Sequence, residues 1–296
     1  MSWQAISRRT CLLGLMAPAF AVAQQKGQQN RLNDTPPPGD WSCPMDPDYH
    51  ADKPGKCPRC GMTLVLHIPD RIEFPFEVSQ SPELLHPGDT VLLTMRTLDP
   101  ATGKPVKHFE IVHEKLIHLF LVHENLEFFA HVHPVLQSDG SFTLRVKLPL
   151  PGMYRMLADF YPSGSVPQLA VQTLFVSGEC THIPIQPSLD PSKSVNLTAS
   201  LRLDPEQLLA GFESRLFYTL SPAAGLERYL GAWGHMLCVS DDLVDMIHTH
   251  PFIANGGPLA QFNVLFPRPR MYRIWTQFQR QGEVNTVVFT VPVKAL

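Results

Sequence analysis

Two stretches of this 296-residue chain repeat one arrangement of imidazoles. In His118–Pro134, His118 is followed after twelve intervening residues by His131-Val-His133-Pro134. In His235–Pro251, His235 is followed at the same spacing by His248-Thr-His250-Pro251, with no gap needed to align them. Each stretch reads as strand, tight turn, strand. With Glu124-Asn125 as a two-residue loop, His118 stands opposite His131, and directly opposed residues have Cβ atoms about 5 Å apart on one face. His133 lies two residues on and therefore shares that face. Asp241-Asp242 places His235 opposite His248 in the same way, with His250 beside them. Three clustered neutral imidazoles suit Zn(II) or Cu(II). The same rings could instead hydrogen-bond backbone or carboxylate groups at a sheet end, with Pro134 and Pro251 ending the strands. Both readings stay open, and the duplication fits either. By parity Met236 and Cys238 fall off the His face, and Cys238 reads as core. His108, His113 and His123 read as surface residues.

A second group of donors lies near the front. Cys43 is followed by Cys57-Pro-Arg-Cys60-Gly61, a knuckle in which the glycine lets the backbone turn its amides toward sulfur. Three cysteines in so short a segment could form a disulfide or hold a metal. One disulfide leaves a thiol over, and the segment is too small to be stabilised by apolar burial alone, so metal binding is the expectation. Met45, Met62 and His50 complete the candidate ligand set, with His67 also within reach. Thiolate with thioether suits Cu(I), and thiolate with imidazole suits Zn(II). For Met62, beside "TLVL", simple packing is an equal alternative.

The run Cys43-Pro44-Met45, Pro54-Gly55-Lys56-Cys57-Pro58 and Cys60-Gly61-Met62 resembles the heavy-metal-binding domain of copper- and silver-transporting ATPases and of periplasmic metal-efflux adaptors. The family usually has His after "CPM", where this chain has Asp46. The resemblance implies a bound metal ion. It leaves open the metal's identity and whether His50 takes the place of the absent His.

The elements that must position these residues read as strands. The chain has 29 Pro and short alternating segments separated by Pro and Gly turns. Beyond Asp70 it divides into similar halves. "FTLRVKLPLPGMYRMLADF" pairs with "FNVLFPRPRMYRIWTQF", so Met153-Tyr154-Arg155 corresponds to Met271-Tyr272-Arg273. Each half predicts a small antiparallel β-sandwich of the immunoglobulin-like kind, with near seven strands. The expected organisation is a signal peptide at 1–23, a polar Pro-rich linker at 24–40, a metal-binding module at 41–68, and sandwiches at 70–178 and 190–296. The tandem region also resembles uncharacterised exported proteins that join such sandwiches to the heavy-metal-binding domain.

Composition narrows the function. With 24 basic and 27 acidic residues, nothing suggests a basic stripe for nucleic acid. Arg8-Arg9, the apolar run Cys11–Ala23 and Ala21-Val22-Ala23 read as a secretory leader, with a twin-arginine flavour, so a periplasmic or secreted location is expected. No later segment is apolar enough to span a bilayer. The expectation is therefore an exported heavy-metal-binding protein. Copper is the favoured cofactor and zinc the second. A metal efflux or transport protein is a candidate partner. Two other readings remain. One is a Zn or Cu enzyme built on the His triads, for which Glu114 and Glu127 are the candidate bases. The other is an interaction scaffold that meets metal only through the front module.

Overall fold

The computed structural model describes residues 41–43, 49–59, 61–66 and 73–296. The expected leader and linker, Met45, Cys60 and His67 lie outside the described residues. All described residues fall in one unit, Pro37–Leu296.

The front module has β1 (Trp41–Ser42), β2 (His50–Ala51) and β3 (Val65–Leu66), in the order β2-β1-β3. Repeat 1 follows with β4 (Phe76–Ser81), β5 (Thr90–Thr97), β6 (Ile117–His123), β7 (Phe129–Val132), β8 (Val135–Leu136), β9 (Phe142–Lys147), β10 (Gly152–Phe160) and β11 (Gln168–Val176). Repeat 2 begins with β12 (Ser192–Lys193), β13 (Thr198–Asp204), β14 (Leu208–Leu209), β15 (Glu213–Ser221) and β16 (Leu226–Glu227). It continues with β17 (His235–Ser240), β18 (Met246–Thr249), β19 (Ile253–Ala254), β20 (Leu259–Leu265), β21 (Met271–Arg280) and β22 (Glu283–Lys294).

Each repeat is a sandwich of two sheets. In repeat 1 the outer sheet is β4-β5-β9-β8 and the inner sheet β11-β10-β6-β7. In repeat 2 the outer sheet is β12-β13-β15-β20-β19 and the inner sheet β14-β22-β21-β17-β18, with β16 added on β21. Outer strands such as β15 alternate buried and exposed residues, as expected for a sheet with one wet face. Strands β6 and β17 are buried at every position. The reason is a third apolar layer. Phe120, Val122, Leu126 and Leu157 of repeat 1 cluster with Leu237, Val239, Leu243 and Trp275 of repeat 2. These are matching positions of the two repeats, so the inner sheets meet face to face about a pseudo-twofold relation. The histidines lie on these two facing sheets.

The hairpin register differs from the sequence expectation by two residues. Phe120, not His118, stands opposite His131, and Leu237, not His235, stands opposite His248. The turns are longer because Leu126 and Leu243 are drawn into the shared core. Each adopts a left-handed backbone, φ 59° and 58°, and each amide donates to the carbonyl three residues back. That conformation costs about 1–2 kcal/mol for a non-glycine residue. Fully burying a leucine contributes about 1.5–3 kcal/mol, so burial wins. Because the shift is even, the His face is preserved.

Candidate metal centre

In the front module, Cys43 and Cys57 are buried together with Leu64, flanked by Trp41, Tyr49 and Ala51. The Cys57 amide donates to the Met62 carbonyl at 2.8 Å, and the Gly61 amide donates to the Cys57 carbonyl at 2.8 Å. Gly61 has φ 78°, the left-handed turn a knuckle requires. Two buried cysteines beside a knuckle turn, Cys43 and Cys57, are of the donor type that suits a soft thiophilic ion. His50 is exposed on β2 opposite Ser42. Met62 is buried against Val112 and Tyr161 of repeat 1.

The repeat 1 triad converges. His118 Nδ1 lies 2.9 Å from His131 Nε2 and 3.3 Å from His133 Nε2. A neutral imidazole carries one N–H. His118 spends its own on the Val112 carbonyl, donating from Nε2 at 3.0 Å. His131 spends its own on Gln277 Oε1, donating from Nδ1 at 2.7 Å, while Gln277 Nε2 donates to Thr286 Oγ1. The two nitrogens facing each other at 2.9 Å therefore both present lone pairs. That arrangement is repulsive unless a cation sits against both. Tetrahedral ligands at about 2.0–2.1 Å from an ion are themselves about 3.3 Å apart, close to this spacing.

The repeat 2 triad divides. His235 donates from Nε2 to the Tyr229 carbonyl at 2.9 Å, matching His118 and Val112, and its Nδ1 meets His250 Nε2 at 3.0 Å. His248 instead turns Nδ1 across the repeat boundary to Asp159 Oδ2 at 2.8 Å. The third nitrogen beside His235 and His250 comes from His113 of repeat 1. Its ring centroid is 3.8 Å from that of His250 and 5.3 Å from that of His235. The surface reading of His113 and His123 is thus corrected: both are buried, His123 completely. A single histidine in a short irregular segment gave no periodicity from which to foresee this. His108 is exposed. So are Glu114 and Glu127, the two carboxylates considered as bases.

Burial disfavours charge on these rings. It lowers His118 to about 4, aided by His248, and lowers His133 and His113 to about 3. His131, His235 and His250 are held well below the ordinary imidazole range, again chiefly by burial. The rings are neutral lone-pair donors at neutral pH, the form that binds metal. His113 Nε2, His248 Nε2 and His250 Nδ1 are buried without a hydrogen-bond partner. A cleft of about 600 Å³, lined by residues 73–76 and 166–172, reaches Asp159 and His248.

The module sits against this centre. Met62 packs on Val112, whose carbonyl holds His118. Arg59 places its guanidinium 4.5 Å over the ring of Phe252, which follows His250-Pro251. A separate group of His123, Glu124 and Cys180 gathers at the far tip of the β6–β7 hairpin. Cys238 is a free thiol inside the repeat 2 core, and burial pushes its pKa well up. Among the described residues no helix is long and apolar enough to cross a membrane.

Residues 41–67 match the heavy metal binding domain, and residues 73–176 and 193–295 each match a domain of unknown function, DUF8832. No curated protein matches the chain. Among solved structures, the adhesin InvE of Yersinia pseudotuberculosis is 13% identical over 74% of this chain and 60% of its own, with a TM-score of 0.26. The Escherichia coli adhesin FdeC is 14% identical over 79% of this chain and 70% of its own, with a TM-score of 0.25. The two-domain fibronectin type III segment of chicken tenascin is 12% identical over 74% of this chain and 99% of its own, with a TM-score of 0.21. The chain thus spans about 60% of the length of the first of these.

Proposed function

We propose that this chain, which belongs to the DUF8832 family and carries a heavy metal binding domain ahead of its two repeats, captures a soft metal ion outside the cytoplasm and holds it for hand-over to an efflux or transport protein. One observation carries this reading: the lone pairs of His118 Nδ1 and His131 Nε2 face each other at 2.9 Å, a contact that a bound cation relieves. Thiolates in the module and imidazoles in the repeats are both ligands for copper, and zinc is the second choice. The packing of Met62 on Val112 and of Arg59 on Phe252 supports a single metal-handling protein, because it places the thiolate module beside the imidazoles. The Arg8-Arg9 leader supports export to the periplasm or beyond.

Elemental analysis of purified full-length protein after copper loading tests the proposal. More than one retained equivalent is expected, with a fall of about one in Cys57→Ser and of about one in His131→Ala. Retention below one equivalent, unchanged by either substitution, removes it.

A further inference from the structure

The sequence pattern of three histidines per repeat does not describe how the nitrogens group in space. His118, His131 and His133 form one set, all from repeat 1. The second set is His113, His235 and His250, one residue from repeat 1 and two from repeat 2. One nitrogen from each lies within 4.8 Å of the others. We propose that the inter-repeat face holds two metal ions, and that the second is bound across the repeat boundary by His113, His235 and His250. This rests on the metal-handling reading above and adds the number of ions and the identity of the second ligand set.

Several features point to a ligand at this second set. His113 is buried and hydrogen-bonded to the Leu230 backbone, while its Nε2 has no hydrogen-bond partner. His250 is buried and brings its Nε2 to 3.0 Å from His235 Nδ1. His235 has its Nε2–H committed to the Tyr229 carbonyl, so its Nδ1 is a lone pair. Burying a polar nitrogen without a partner is costly, and an ion bound to His113 Nε2 removes that cost. A metal-binding histidine commonly donates its second N–H to a carbonyl or carboxylate, which is the arrangement of His235 and His113 here. His248, the residue the repeat pattern would nominate, is committed to Asp159 and lies outside both sets. Its ring stands between them, 5.9 Å from those of His118 and His235. An all-imidazole set with three ligands suits Zn(II) or Cu(II) and leaves a position for a further small ligand.

The first ion is held within repeat 1, but the second joins the repeats, so its binding stabilises their docking by mass action.

The experiment uses full-length Cys43→Ser/Cys57→Ser protein, which removes the thiolate contribution, titrated with Zn(II) alone. Two equivalents are expected. Adding His113→Leu, which installs the residue that repeat 2 carries at the matching position, should leave one equivalent. It should also abolish the part of the zinc-induced rise in unfolding temperature that belongs to the second ion. Adding His248→Leu should leave two. A His113→Leu protein that still binds two ions, or a parent that binds one, overturns the inference while leaving the metal-handling reading intact. A parent that binds none, together with wild-type protein that retains none, overturns both. Apo-protein melting curves for each variant report whether it has folded.

Discussion

At the tip of the β6–β7 hairpin in repeat 1 stand His123 and Glu124, with Gly152 and Cys180 across from them. At the tip of β17–β18 in repeat 2 the matching positions hold Ser240, Asp241 and Arg270. There Arg268 grips Asp242 with two bonds of 2.8 Å and Asp245 with bonds of 3.0 and 3.1 Å, while Arg270 bonds Asp241 at 2.7 Å. Repeat 1 has no such network. His123 there meets the Pro151 carbonyl at 2.8 Å, and Gly152, at φ 110°, sits where any Cβ would strike Glu124. The same asymmetry appears at the centre. His113 of repeat 1 is Leu230 in repeat 2, and Asp159 is Gln277. The inward-facing histidines recur because they share one scaffold. The residues just outside that scaffold differ, and they gather the duplicated imidazoles into two unlike sets. One set is half-exposed at His131 and His133, while the other is wholly buried.

Acid should break the comparison most forcefully. The folded state holds His118 neutral to about pH 4 and His113 and His133 to about pH 3, and keeps His131, His235 and His250 well below the ordinary range, whereas in the unfolded chain these rings protonate near 6.5. Below 6.5 the unfolded state therefore binds more protons, and stability falls as pH drops from about 6.5 toward 4. Each tenfold difference in proton affinity is worth about 1.4 kcal/mol, and several rings act together. The metal-free protein should melt at a constant temperature above pH 7 and unfold during titration to pH 4, as followed by circular dichroism. His113→Leu, which gives repeat 1 the residue of repeat 2, should shift that acid transition to lower pH.

The shared core offers the next largest effect. Trp275 occupies the place of Leu157 and stacks on Phe129 at 5.1 Å with the ring planes 10° apart. Trp275→Ala should cost about 3–5 kcal/mol in urea unfolding, at or above the cost of Leu157→Ala. Equal small losses would show that the two inner sheets are not packed as described.

The smallest effect belongs to the hairpin tips. Arg268→Ala removes the partner of Asp242 and Asp245 at a partly exposed surface and should lower the urea midpoint by less than Trp275→Ala does. Leu150→Ala, the matching change in repeat 1, has no carboxylate to strand. Its loss comes only from packing, where Leu150 lies against the repeat 1 core. A salt-dependent loss for Arg268→Ala and a salt-independent one for Leu150→Ala would confirm that the two tips are held by different forces.

Much of this was legible in the chain. Alternation and turn residues gave strands and two sandwiches, because a half-buried sheet imposes a period of two wherever one face is wet. The spacing of His131 and His133, and of His248 and His250, fixed each pair to one face whatever the register. The register itself was misjudged by two residues. A two-residue turn is the local optimum, and the leucines that lengthen it answer to a core formed by residues more than a hundred positions away. The surface assignment of His113 failed because an irregular segment has no period from which burial can be read, and that of His123 because it was placed in the turn, whereas it ends β6 on the face of Leu119 and Leu121.

Sequence alone determined the duplicated imidazole pattern, the cysteine knuckle with its left-handed glycine, and the face on which each histidine pair lies. These follow from local geometry, the pleat of a strand and the reach of a turn. Only the tertiary structure decided that the two patterns meet, that His113 crosses into the repeat 2 set, and that Asp159 draws His248 away from it. Those outcomes depend on two apolar sheet faces burying one another, and that long-range event leaves no periodic trace in either repeat.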